Sequence, residues 1–163
     1  MIKAFALFSK DKEDVKLLLV GGNTEFLKKY RDLAYELDVT NKIIFTEYQE
    51  NVTLFYKLMN VFSLVSAYEA FGLVLAEAML NKLAIIATRV GGMKYIVNDG
   101  ETGILVQAKN VAEIAAAFEK LYSDEEMREY MGERGYHKAI IEFTEEVYVK
   151  KIENLYNDLV SNI

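Results

Sequence analysis

The sequence contains no proline, no cysteine and only one histidine, His137, among its 163 residues. Without cysteine, the chain has no disulfide, no thiol nucleophile and no cysteine-ligated metal. A single histidine excludes a histidine-cluster metal site and a histidine relay. The lack of proline is unusual, because average composition would place roughly eight in a chain of this length. Any catalysis must therefore use carboxylates, hydroxyls, amides, lysine or arginine.

Long apolar runs and a basic excess are also absent. A membrane-spanning helix needs about 18 consecutive apolar residues, and no stretch of the sequence is that long. The N-terminus lacks the small-residue cleavage site of a secretory signal. The chain has 19 basic and 25 acidic residues, a net charge of −6, whereas duplex-binding proteins carry a basic stripe. We expect no nucleic acid partner, no transmembrane segment, and a cytoplasmic location that is at most peripheral to a membrane through a partner.

Apolar residues make up 52% of the chain and charged residues 27%, which is typical of a globular domain. There is no low-complexity segment and no linker. We expect residues 1–163 to form a single domain, with helices from about residue 110 onward packing on it.

Short apolar runs alternate with helical patterns along the chain. The sequence predicts strands over 15–20, 42–46, 61–65, 83–88 and 102–106, and helices over 23–38, 52–60, 71–80 and about 144–159. Capping boxes at Asn110 with Glu113 and at Ser123 with Glu126 predict two further helix starts. Because the strands are almost continuously apolar, as buried parallel strands are, we predict an α/β fold, a three-layer sandwich around a parallel sheet.

In such folds, ligands bind beyond the carboxyl ends of the strands. There the sequence places Gly21 and Gly22, then Glu47 and Tyr48, then residues 66–72, and then residues 89–92. Three of these four turns contain glycine and open a helix, so free backbone N–H groups there could hold phosphate oxygens. The alternative is that the glycines only make tight turns.

Two glutamates near this edge each allow two interpretations. Ser66 and Glu69 have the spacing of a capping box, or Glu69 has a chemical role beside the glycine turns. Glu77 lies in an apolar helical segment. It either occupies a single exposed stripe or accepts hydrogen bonds from a vicinal diol of a sugar.

Three segments carry a family resemblance: S-A-Y-E-A-F-G-L-V-L-A-E-A-M at 66–79, A-I-I-A-T-R-V-G-G at 84–92, and N-D-G-E-T-G-I-L-V at 98–106. Together they resemble the C-terminal, donor-binding domain of group 1 glycosyltransferases, which are retaining enzymes of the GT-B fold with Rossmann-like halves. The family signature is E-x7-E, and Glu69 and Glu77 match it. The resemblance extends from about residue 4 to the last helix.

The resemblance implies a role for each candidate site residue. Glu77 would bind the ribose hydroxyls of a UDP-, GDP- or ADP-sugar, and Glu69 would lie beside the sugar and diphosphate as the candidate catalytic residue. The remaining candidates for nucleotide-sugar binding are Gly21, Gly22, Tyr48, Ser66, Phe71, Gly72, Leu73 and Arg89. The resemblance implies neither a metal nor a cofactor.

Several departures from the family leave alternatives open. A central strand with a Gly-Arg and Lys-Gly segment, whose basic residues clamp the diphosphate, and the acceptor-binding domain would both precede the first residue of this chain. We therefore expect the chain to be inactive alone as the donor half of a hexose-transferring enzyme. The alternatives are a non-catalytic scaffold subunit and a piece of a longer enzyme. The sheet would close up, form a homo-oligomer, or take its strand from another segment or chain.

Overall fold

The computed structural model describes residues 1–161. The helices are α1 (Ile2–Phe8), α2 (Thr24–Glu36), α3 (Thr53–Tyr56), α4 (Leu73–Leu80), α5 (Met93–Ile96), α6 (Val111–Ser123), α7 (Glu125–Glu142) and α8 (Glu145–Ser161). The strands are β1 (Leu17–Leu19), β2 (Ile43–Phe45), β3 (Val61–Leu64), β4 (Ala84–Thr88) and β5 (Gly103–Val106), and a 3-10 turn (Thr40–Lys42) precedes β2.

All strand pairs are parallel, and helices alternate with strands, which confirms the predicted α/β fold. β1 pairs with β2, and a second sheet has the order β3-β4-β5. Every residue of the central strand β4 is buried, because helices cover both of its faces. This strand anchors the larger part of the core.

Both sheets are open ladders, so among residues 1–161 the outer edges of β1, β2, β3 and β5 are all unpaired. Within residues 1–161, β1 is hydrogen-bonded only to β2, and β3 only to β4. The residues of β1 and β3 are half-buried. Of the alternatives for the sheet, closing up is therefore excluded in this chain, since the strands form two separate ladders.

Helix α1 contacts both halves of the core. Ala4 packs with the cluster around β4, whereas Ile2 and Phe5 pack with the cluster around β2. The ring of Phe8 lies 5.5 Å from that of Phe118 on α6. The apolar surface that α1 buries on two sides therefore connects the sheets even though their ladders are separate.

The C-terminal helices differ in how they pack. Helices α6 and α7 lie against β4 and β5, and a side chain at Gly132 would come within 2.2 Å of the Lys82 carbonyl oxygen. Helix α8 has no buried residue. Residues 162 and 163 of the predicted domain lie outside the described residues. No helix within residues 1–161 has the length and apolarity to cross a bilayer.

The two predicted helix caps have different outcomes. Asn110 caps α6 as expected, with Oδ1 accepting from the Glu113 N–H at 3.1 Å. The prediction of Ser123 as a cap is wrong. Asp124 caps α7 instead, and its Oδ1 accepts from the Met127 N–H at 2.8 Å, while the Ser123 hydroxyl donates back to the Glu119 carbonyl.

Candidate functional site

The loops that follow β3 and β4 are joined at the carboxyl edge of the larger sheet. The buried Thr88 hydroxyl donates to the Ser66 carbonyl oxygen at 2.7 Å. The Gly92 N–H donates to the Ala70 carbonyl oxygen at 3.0 Å. These bonds hold residues 66–72 against residues 89–92, so two of the predicted turns form one surface.

Glycine is required where these loops touch. Gly91 has φ +50°, and a Cβ there would lie 1.7 Å from the Glu69 carbonyl oxygen. A Cβ at Gly92 would lie 2.7 Å from the Cα of Phe71. The glycine pair therefore serves close backbone approach as well as a turn.

Glu69 lines an open cleft at this junction. The cleft has a volume of about 430 Å³ and is lined by Ala67, Tyr68, Glu69, Ala70, Val90 and Gly91. No helix begins at Ser66, so the capping-box reading of Ser66 with Glu69 is wrong. The half-buried carboxylate of Glu69 is thus available to the cleft.

The N-terminus of α4 lies directly after the cleft loop. Its cap is Gly72, at φ +90°, which has no side chain to accept from the N–H groups of the first turn. Unpaired N–H groups at a helix start attract anions. Phe71 and Leu73, the neighbours of Gly72, are both exposed, to 46% and 63%. This is the place where the sequence predicted backbone contacts to a diphosphate.

Glu77 lies on the exposed side of α4 but has a buried partner. The Tyr56 hydroxyl donates to Glu77 Oε2 at 2.8 Å. Burial and this bond to the carboxylate raise the pKa of Tyr56. Sequence reasoning missed Tyr56, since the contact joins residues 21 positions apart and no local spacing indicates it.

The Gly21–Gly22 turn lies beside the residues that follow β2. The Tyr48 N–H donates to the Gly22 carbonyl oxygen at 2.9 Å, and both glycines have positive φ. Asn23 caps α2, its Oδ1 accepting from the Phe26 N–H at 2.7 Å. The structure thus brings Gly21, Gly22 and Tyr48 together at the carboxyl edge of the smaller sheet.

Arg89 is engaged by a carboxylate. Its Nη2 lies 2.6 Å from Asp99 Oδ2, and the Leu105 N–H donates to Asp99 Oδ1. Partial burial opposes the charge of Asp99, but these two partners outweigh it and lower the pKa of the carboxyl. To contact a phosphate as predicted, the Arg89 guanidinium would have to leave Asp99 or contact Asp99 and the phosphate together.

The predicted residues thus form two groups. One contains Ser66, Glu69, Phe71, Gly72, Leu73 and Glu77, and the other contains Gly21, Gly22 and Tyr48. Arg89 lies beside the first group, on the loop after β4, with its guanidinium paired to Asp99. Among residues 1–161, no side-chain hydrogen bond joins the two groups, and no group of three or more acidic or histidine residues could hold a metal ion. Their roles toward a ligand stay predictions.

This arrangement defines a parallel α/β domain with glycine turns at the carboxyl edges of its strands and two glutamates, Glu69 and Glu77, in the loop after β3 and on α4. The chain belongs to the group 1 glycosyl transferases, whose family model matches residues 1–138.

Individual relatives agree with this assignment. N-acetyl-alpha-D-glucosaminyl L-malate synthase of Bacillus anthracis is 34% identical over 160 residues, which are 98% of this chain and 42% of that protein. Sucrose-phosphate synthase from Thermosynechococcus elongatus superposes with a TM-score of 0.87 at 26% identity, over 99% of this chain and 43% of that one.

A third relative was solved with ligands. Anabaena HepE in complex with UDP and glucose has a TM-score of 0.83 and 22% identity, over 99% of this chain and 44% of that one, which shows the shared GT-B fold. The chain spans about two fifths of the length of the curated relatives it matches.

Proposed function

We propose that residues 1–163 are a single nucleotide-sugar-binding domain, the donor half of a retaining glycosyltransferase that moves a hexose from a nucleoside-diphosphate sugar to a hydroxyl acceptor. The observation that carries this proposal is the joined pair of loops. They place Glu69 in a cleft beside the uncapped N-terminus of α4, and Glu77 lies further along the same helix.

Each part of this edge suits one part of a nucleotide sugar. The free N–H groups at the start of α4 favour the charged oxygens of the diphosphate. The Glu77 carboxylate accepts from the ribose hydroxyls, and Glu69 lies beside the sugar in the cleft. The Gly21–Gly22 turn and Tyr48 contribute to the base and phosphate pocket. We propose that this binding uses neither a metal nor an organic cofactor.

A second candidate function is a non-catalytic scaffold subunit, and the separation of the strands into two open ladders favours it, since the edges of β1 and β3 are among those left unpaired within residues 1–161. An extended strand from another segment or chain would satisfy both rows of backbone groups. We propose that the donor half is inactive alone, and that another segment or chain supplies the additional strand and the acceptor domain. A chain that binds a partner but no nucleotide would support the scaffold function.

Calorimetric titration with UDP, GDP and ADP tests the donor function. We expect one diphosphate to bind, and Glu77→Ala to weaken that binding at least about tenfold, because hydrogen bonds to a charged acceptor are lost. Glu129→Ala, on the exposed face of α7, is the matched control and should bind like the parent. Folded protein that binds none of the three, or an affinity that Glu77→Ala leaves unchanged, would contradict the proposal.

A further inference from the structure

Tyr56 is the last residue of the one-turn helix α3, and its ring is packed in the core. The residue is 6% exposed and belongs to the core cluster that includes Leu75 and Met79. Its ring centroid lies 5.6 Å from that of Phe62. The position of the hydroxyl is therefore fixed by packing on three elements, α3, β3 and α4.

That hydroxyl meets the Glu77 carboxylate at the boundary between core and solvent. It donates to Oε2 at 2.8 Å. Among residues 1–161, Tyr56 is the one hydrogen-bond donor to this carboxylate, because the Asn81 side chain donates to the backbone oxygen of Glu77 instead. The orientation of an otherwise exposed glutamate thus depends on one buried tyrosine.

We propose that Tyr56 is a positioning residue, which fixes the Glu77 carboxylate in the orientation that accepts both ribose hydroxyls of the nucleotide. The inference rests on the proposed function, whose ribose contact it deepens. A carboxylate offers about four acceptor positions, of which Tyr56 occupies one. A glutamate held in one rotamer loses less entropy when a diol binds than a freely rotating one does.

A purely structural role for the same bond makes a different prediction. A buried tyrosine hydroxyl needs an acceptor, so the loss of the bond would lower stability alone. A positioning role also affects how the protein distinguishes a ribose from a sugar without hydroxyls. The affinity ratio between a nucleotide and its 2′,3′-dideoxy analogue measures this discrimination and is independent of the diphosphate contacts.

The test measures that ratio for whichever of UDP, GDP and ADP binds most tightly. We expect Tyr56→Phe to reduce the ratio about five- to tenfold, the effect of one weakened hydrogen bond, with the dideoxy affinity unchanged. In a Glu77→Ala background, Tyr56→Phe should have no further effect on the ratio. Tyr122→Phe removes another tyrosine–carboxylate bond, in which the Tyr122 hydroxyl on α6 lies 3.1 Å from the Asp14 carboxylate in the loop between α1 and β1, and it should leave the ratio unchanged.

The outcomes separate the inference from the proposed function. A Tyr56→Phe variant with the parent ratio, beside a Glu77→Ala variant whose ratio falls to about one, overturns the inference and supports the ribose contact. A parent ratio near one, or a ratio that Glu77→Ala leaves unchanged, contradicts the contact itself. If Tyr56→Phe does not fold, NMR of the Tyr56 hydroxyl proton decides. The bond should persist at nucleotide saturation, and its loss would overturn the inference.

Discussion

Gly91 is the residue on which the geometry of the cleft depends most. It combines φ +50° with a contact in which a Cβ would meet the Glu69 carbonyl oxygen. A substitution there must therefore distort the backbone and also push the two loops apart. Gly100 also has positive φ, +80°, but a Cβ there would have nothing within 4 Å. Substitutions at the two glycines therefore distinguish the cost of backbone strain from the cost of the clash.

We expect Gly91→Ala to lower the free energy of unfolding by about 2–5 kcal/mol, the sum of left-handed backbone strain and overpacking. Gly100→Ala should cost only about 1–2 kcal/mol, because strain acts there without the clash. Urea unfolding followed by circular dichroism measures both. Equal losses in the two variants would show that the close approach to Glu69 does not contribute.

Sequence alone predicts those site residues whose position follows from their place next to a strand. Glu69 and the glycines come directly after strands, and parallel strands bring those positions to one edge. It could not predict Tyr56 or Asp99, which reach Glu77 and Arg89 through contacts that tertiary packing creates. Arg89 illustrates the limit, since an arginine beside a glycine turn has the same local sequence whether it faces a phosphate or a carboxylate.

At the scale of elements, the predicted strands are confirmed to within two residues at each end, because apolar runs between turn residues define them closely. Short helices were harder to predict. The helix expected over 52–60 is one turn, Thr53–Tyr56, since residues 57–60 turn directly into β3. The start of α7 differed by one residue, because Ser123 and Asp124 are both good capping residues and spacing does not choose between them.

The cap of α7 makes a direct prediction. Asp124→Ala should lower the free energy of unfolding by about 0.5–2 kcal/mol, because the Met127 N–H loses its acceptor and the helix start loses a favourable charge. The neighbouring change Ser123→Ala should stay within about 0.5 kcal/mol. Thermal unfolding of both variants provides the measurement. A larger loss of stability for Ser123→Ala than for Asp124→Ala would contradict Asp124 as the cap and favour the capping box of Ser123 with Glu126.

At the scale of the whole molecule, two features lie outside the packed core: unpaired strand edges and exposed apolar side chains. Among residues 1–161, the outer edges of both sheets, including those of β1 and β3, are unpaired, and α8 has apolar side chains in solvent, among them Tyr148, Leu155, Tyr156 and Leu159. The sequence predicted the α/β class because periodicity determines it, but the division into two sheets depends on strand order, which composition does not encode. Exposed apolar surface of this extent is typical of an interface.

The account predicts one binding surface across the carboxyl edge, made from segments that lie far apart in the chain. NMR chemical-shift mapping with UDP, GDP and ADP in turn tests it most directly. One diphosphate, binding at about 1 mM or tighter, should shift the backbone amides of residues 66–73 and 91–93 together with those of Gly21, Gly22 and Tyr48. Amides there that stay unchanged with all three diphosphates, or shifts confined to α8, would contradict the assignment of this edge as a nucleotide-sugar site.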